Sequence, residues 1–200
     1  MVSADCENTT NTATRGFGSR NAMDDSQFEQ WRKLLESRTG MTVAPERRSF
    51  LEANLSTRMR ELACDSYQSY YEKIMHGPGA VAEWATLVDR LTVQETRFFR
   101  DEDAFELTRE YARKLFREKH QRVVEAWSVG CSTGEEAYTL AMILSEAAGN
   151  APCNRYFGVT GSDISLIALN KARAGQYGPR KLITTSGYRQ QHYFCQLDEG

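Results

Sequence analysis

Between Val129 and Tyr138 the chain reads Gly130-Cys131-Ser132-Thr133-Gly134-Glu135-Glu136-Ala137, a turn whose glycines let the backbone approach a ligand closely. Glu135 and Glu136 would repel a pyrophosphate, and no Lys follows Gly134 as a phosphate loop requires, so a nucleoside triphosphate is disfavoured. A cofactor bearing a sulfonium and an ammonium suits nearby carboxylates, and a following helix N-terminus can attract that cofactor's own carboxylate. S-adenosylmethionine has these groups. The same residues also fit a plain capping box, in which Thr133 and Glu136 only satisfy the start of a helix. Asp163 follows a second apolar run, where dinucleotide folds place an acid on ribose hydroxyls, although somewhat beyond the usual ~20 residues after the glycines. It equally suits capping of the next helix, a task open to Ser165 as well. Cys131 as a nucleophile is disfavoured, because no His lies in a motif near it.

These residues need elements to hold them. Val123 to Val129 predicts a buried strand, the turn follows, and a helix runs from Gly134 to about Ala148. A second strand is expected over Tyr156 to Thr160 and a further helix from about Ser165. Strand, turn, helix, strand opens a doubly wound parallel sheet. Ahead of it the chain reads as helical. Asp24, Asp25 and Ser26 can cap a helix carrying Phe28, Trp31, Leu34 and Leu35. Pro45 suits the first turn of a second, with an apolar stripe of Leu51, Leu55, Met59 and Leu62 beside Arg47, Arg48, Arg58 and Arg60. Tyr67, Tyr70, Tyr71 and Ile74 mark a third helix, ended at Gly77-Pro78-Gly79, and Val81, Trp84, Leu87, Val88 and Leu91 a fourth. The expected fold class is therefore α/β: a small helical domain, then the first part of a Rossmann-like sheet. The expected boundaries are a polar flexible tail over 1–23, a helical domain over 24–90, a linking motif and helix over 91–121, and a partial cofactor-binding domain over 122–200.

The chain has 200 residues, 40% of them hydrophobic and 26% charged, with a formal net charge of -2, so it lacks the clustered basic surface that nucleic acid normally requires. Cys6, Cys64, Cys131, Cys153 and Cys195 are scattered and form no C-x-x-C pair, which predicts neither a disulfide framework nor a zinc site. Free thiols in a reducing cytosol are expected. The polar start lacks the apolar segment of a secretory signal, and Ala137 to Leu144 is far shorter than the ~20 residues a membrane span needs.

Thr92-Val93-Gln94-Glu95-Thr96-Arg97-Phe98-Phe99-Arg100, followed by Phe105, resembles the signature that precedes the methyltransferase domain in chemotaxis receptor methyltransferases of the CheR family. Trp127 to Tyr138 resembles that family's cofactor turn. Gly161-Ser162-Asp163-Ile164, then Ala172-Arg173 and Gly175-Gln176-Tyr177, resembles its next strand and helix. The likeness runs from about Phe28 to about Phe194 and includes Arg47-Arg48 through Leu62. It implies S-adenosylmethionine as cofactor, with Gln94, Thr96, Arg100, Glu136 and Asp163 around it and Arg100 also near the carboxylate to be methylated. It implies a glutamate O-methyltransferase acting in the cytoplasm on the cytoplasmic helices of a chemoreceptor or similar receptor. Arg58 and Arg60 are candidate contacts to such acidic helices, a solvated helix face being the alternative. Without the resemblance, Arg100 reads as a surface arginine and Phe98, Phe99 and Phe105 as core.

Members of that family continue past the point where this sequence stops, with a small antiparallel subdomain, further strands, and Asn-Leu and Arg-Asn pairs at the cofactor. The resemblance thus implies a C-terminally incomplete chain, with residues 178 to 200 as the connection into the remainder. The competing readings are a truncated, inactive receptor-binding or regulatory module, and a dinucleotide-dependent oxidoreductase. Cofactor binding separates them: none, nicotinamide dinucleotide, or S-adenosylhomocysteine.

Overall fold

The computed structural model describes residues 22–118, 123–149 and 156–197; residues 1–21 of the expected tail, with Cys6, and Arg122 and Cys153 lie outside them. Met23, placed in the tail by sequence, is only 1% exposed and joins the core beside Phe28 and Trp31. Its apolar side chain outweighs its polar neighbours.

Helix α1 spans Asp25–Thr39 and opens on a capping box: the Asp24 carboxylate accepts from the Gln27 amide at 2.7 Å, and Gln27 Oε1 accepts from the Asp24 amide at 3.1 Å. A 3-10 turn over Pro45–Arg47 leads into α2, Arg48–Glu61, so this stretch holds no strand. Helices α3 (Tyr67–His76) and α4 (Ala80–Leu91) follow, α3 capped by Ser66. Their apolar stripes meet in one core of Trp31, Leu35, Leu51, Leu55, Tyr70, Ile74 and Leu87.

A polar knot ties α2, α3 and α4 together. Glu83 on α4 is 8% exposed, and its Oε1 accepts from Tyr70 Oη at 2.6 Å and Arg58 Nε at 2.9 Å. Arg58 Nη2 bonds the other oxygen, and Arg58 also pairs with Glu61. Burial alone would raise the Glu83 pKa, but hydrogen bonds from Arg58 and Tyr70 outweigh it and hold the group below its ordinary value. A depressed folded pKa contributes stability above the unfolded value and loses it as pH falls through the folded one. Glu83→Gln, which keeps an acceptor but loses the charge, is expected to cost about 1–2 kcal/mol at pH 7. Urea denaturation should show the difference from the parent shrinking as the pH falls below about 4. A pH-independent difference would mean that shape, not charge, matters at this position.

Helix α5, Glu102–Glu118, precedes strand β1, Val123–Val129, which pairs in parallel with β2, Tyr156–Ser162, from Val123 opposite Tyr156 to Val129 opposite Ser162. The crossover is α6, Glu135–Ala148, and α7 spans Leu166–Ala174 with Ser165 as its cap. Val124, with Ala126 and Val159 beside it, packs under Ala112 and Phe116 of α5 and Leu144, Ala147 and Ala148 of α6. The pleat sends Val123, Trp127 and Val129 to the opposite face, where they are 49%, 67% and 69% exposed. The expected buried strand is therefore buried on one face, through Val124 and Ser128, and exposed on the other. Among the described residues only one face is covered, whereas parallel sheets are ordinarily covered on both.

In the C-terminal stretch, a 3-10 turn over Pro179–Leu182 and helix α8, Gly187–Tyr193, pack on the linking motif. The Phe98 ring meets Tyr177 and Phe194 edge-on at centroid distances of 4.9 and 5.2 Å, and Phe99 lies under the Arg189 guanidinium at 4.2 Å. Thr184 Oγ1 donates to the Phe98 carbonyl at 2.5 Å. Together with Met142 and Ile143 of α6, these aromatics form a separate core. Among the described residues no helix is long and apolar enough to cross a membrane.

Candidate functional site

The carboxyl ends of β1 and β2 open, beside the linking motif, into a cleft of about 960 Å³. Gln94, Thr96, Arg100, Glu136 and Asp163 all line it, as do Gly130, Ser132 and Arg47. The turn after β1 is tied to β2, since the amides of Gly130 and Cys131 both donate to the Ser162 carbonyl, at 2.8 and 2.9 Å. Gly130 and Gly134 take φ values of +80° and +97°, and Ser132 is left-handed at +48°. That backbone aims the Ser132 amide at Asp163 Oδ2, 2.8 Å away, while Asp163 Oδ1 accepts from the Ser165 amide at 2.8 Å. The strand-end acid and the glycine turn are therefore one unit. Asp163 is not the helix cap, because Ser165 Oγ does that work for α7 by accepting from the Ala168 amide at 3.0 Å.

The capping-box reading of Thr133 and Glu136 fails on the observed geometry. Helix α6 begins one residue later, with Gly134 as its N-cap and no side-chain cap hydrogen bond. The exposed Glu136 carboxylate instead accepts from Ser128 Oγ of β1 at 2.8 Å. Its neighbour Glu135 points the other way and is fully buried, accepting from Thr133 Oγ1 at 2.6 Å and lying 2.7 Å from Lys181 Nζ. The two acids that sequence treats alike thus have different environments, one lining the cleft and one neutralised beneath it.

The linking motif enters through Gln94, whose Oε1 accepts from Ser132 Oγ at 2.6 Å and whose Nε2 donates to Thr92 Oγ1 at 2.8 Å. Thr96 is held by its backbone, its carbonyl accepting from Lys181 Nζ at 2.8 Å. Arg100 is exposed and donates from Nη1 to the Glu95 carbonyl at 2.8 Å; among the described residues it forms no ion pair. Arg58 is different. Its guanidinium is engaged by Glu83 and Glu61, so it is a structural cation rather than a free surface charge. Arg60 is exposed and rests on Thr57 Oγ1 at 3.3 Å. Neither lines the cleft, whereas Arg47 of the same basic run does.

Ser132, Ser128, Lys181 and Tyr177 were not singled out as site residues by sequence. A signal existed for Tyr177, in the Gly175-Gln176-Tyr177 motif: its hydroxyl donates to the Thr133 carbonyl at 2.7 Å and holds the turn. Burial and the nearby Glu135 charge push the Tyr177 pKa up, keeping it a donor. Burial, then the Asp163 charge, raises the Cys131 thiol, and at 2% exposure it is not a nucleophile. Among the described residues no group of three or more His, Cys, Asp or Glu could hold a metal.

A parallel β–α–β unit with a glycine turn at the first strand's end and an acid at the second's defines an α/β domain for a nucleoside-containing cofactor. Residues 94–200 match the family described as CheR methyltransferase, SAM binding domain, and residues 26–92 match CheR methyltransferase, all-alpha domain. The chain belongs to the CheR methyltransferase family. It is 35% identical to the chemotaxis protein methyltransferase of Salmonella typhimurium and 33% identical to that of Escherichia coli, over 88% of this chain in each case. It is 32% identical to the chemotaxis protein methyltransferase of Klebsiella aerogenes over 93% of this chain. The chain spans 58%, 58% and 64% of the length of these three relatives.

Proposed function

We propose that this chain carries the cofactor-binding and receptor-recognising parts of a protein-glutamate O-methyltransferase that uses S-adenosylmethionine on the cytoplasmic helices of a chemoreceptor or similar receptor. One observation carries the reading: Gln94, Thr96, Arg100, Glu136 and Asp163, drawn from three separate segments, line one cleft. We further assign residues 24–90 to receptor recognition and the segment from about 122 to cofactor binding, joined by the motif at 91–121.

The cleft suits the cofactor chemically. Its volume of about 960 Å³ lies in the range of small-molecule sites. Glu136 and Asp163 supply negative charge for an ammonium and hydroxyls. When bound, S-adenosylmethionine supplies a methyl carbon whose bond to sulfur breaks as a carboxylate oxygen attacks, giving a methyl ester and S-adenosylhomocysteine. The accepting glutamate is already ionised near neutral pH, so the protein needs no general base. Its residues position and desolvate. Asp163 fixes the turn, Glu136 faces the cofactor, and Arg100 orients the incoming carboxylate by charge-assisted hydrogen bonds. For the receptor surface, exposed Arg60 and Arg47 are the basic residues of the 45–62 stretch left to meet acidic helices, with Arg58 committed inward.

Calorimetry tests this directly. The chain is expected to bind S-adenosylhomocysteine and not nicotinamide dinucleotide, and methylation of a receptor fragment should weaken as salt rises. Failure to bind S-adenosylhomocysteine would favour an inactive receptor-binding module, and preference for the dinucleotide an oxidoreductase.

A further inference from the structure

Six residues close a ring of hydrogen bonds between the helical part and the cleft. Thr92 Oγ1 donates to the Asp89 carbonyl at 3.0 Å and accepts from Gln94 Nε2 at 2.8 Å. Gln94 Oε1 accepts from Ser132 Oγ at 2.6 Å, and the Ser132 amide donates to Asp163 Oδ2 at 2.8 Å. Asp163 Oδ1 accepts from the Ser165 amide at 2.8 Å, and Ser165 Oγ returns to Asp89 Oδ1 at 2.6 Å. Asp89 lies on α4, in the helical part; Ser165, wholly buried, caps α7. The contact joins residues 76 apart in sequence.

We infer that Asp89 is a positioning residue for the cofactor site, holding Asp163 in place through Ser165. This rests on the reading of Asp163 as a cofactor contact. The geometry gives the reason. An ionised carboxylate has about four acceptor sites, and the ring uses one on each Asp163 oxygen, fixing the plane of the group while leaving acceptors for cofactor hydroxyls. The Ser165 hydroxyl accepts from the Ala168 amide at 3.0 Å and spends its one proton on Asp89 Oδ1 at 2.6 Å, so the residue whose amide holds Asp163 is tied to α4 as well as to its own helix. Asp89 does not line the cleft, so it touches no cofactor and acts through another residue. Its consequence is coupling: whatever displaces the C-terminal end of α4, receptor binding included, also displaces the strand-end acid.

The test compares Asp89→Ala with Asp89→Asn in the full chain. Asn retains an Oδ1 acceptor for Ser165, so it should keep the S-adenosylhomocysteine dissociation constant within about 3-fold of the parent, while Ala should raise it about 10-fold. Amide hydrogen exchange at Ser132 and Ser165 should accelerate in the Ala variant alone, with the core amides of α1 to α3 unchanged. That pattern is not produced by general destabilisation. Parent-like affinity and exchange in Asp89→Ala, or equal losses in both variants, would overturn the inference. A parent chain that binds no S-adenosylhomocysteine would overturn the functional reading itself, and exchange at the two serines would then still show whether the ring acts as a unit.

Discussion

Replacement of Arg100 by Ala is expected to lower methyl transfer about 100-fold, equivalent to about 3 kcal/mol of transition-state stabilisation, while changing S-adenosylhomocysteine affinity much less. Arg100 stands at the mouth of the cleft, at the junction of the linking motif and α5, tethered by one 2.8 Å bond to the Glu95 carbonyl. The tether holds the side chain near the entrance and leaves most of the guanidinium fork for a substrate carboxylate. Phe98 and Phe99 beside it are 0% and 4% exposed, so the backbone presenting it is locked by packing. Lys should restore little, because it keeps the charge and loses the paired donors. Single-turnover methylation of a receptor fragment, by a form of the protein active on it, should be measured alongside calorimetry. Equal losses in both would reassign Arg100 to cofactor binding, and no loss in either would return it to the ordinary surface.

Gly134→Ala is expected to be the most destabilising single-methyl addition in the cofactor turn, at about 3 kcal/mol. Two costs combine. At φ +97° a side chain is strained by about 1–2 kcal/mol, and an added Cβ would lie 2.8 Å from the Tyr177 hydroxyl and 2.9 Å from Ala172 Cβ, overpacking that costs about 1–3 kcal/mol. Tyr177 cannot easily yield, since its hydroxyl is bonded to Thr133 and its ring is packed on Phe98. Gly130→Ala is the internal comparison: φ is +80°, but nothing lies within 4 Å of an added Cβ, so only the backbone cost of about 1 kcal/mol applies. Thermal unfolding should fall by roughly 6–12 °C for the first and by roughly 2–4 °C for the second. Equal shifts would show that the contact with Ala172 and Tyr177 relaxes and that strain alone accounts for the effect.

Local chemistry was legible in the sequence because its causes are local. Asp24 ahead of Phe28, Pro45 at a helix start, and Gly77 after α3 act within a turn or two, and the helices fall where spacing and caps place them. The strand, glycine turn, helix and second strand were likewise readable from apolar runs and punctuation, as was the placing of Asp163 at a strand end. Sequence by itself thus determined the order and type of the elements and, through the motifs, the set of residues that could share a cleft. It could not assign roles that depend on partners distant in the chain. Glu135 and Glu136 are adjacent and chemically alike, yet successive side chains on a helix diverge by about 100°, so one meets Lys181 in the interior and the other lines the cleft beside Ser128. Arg58 and Arg60 divide in the same way, because only Arg58 reaches Glu83 on α4. The return of the C-terminal stretch onto Phe98, and the ring closed by Asp89 and Ser165, join residues 86 and 76 positions apart. Nothing in the local pattern encodes such pairings; only the packing of the helical part against the sheet brings those groups within bonding distance.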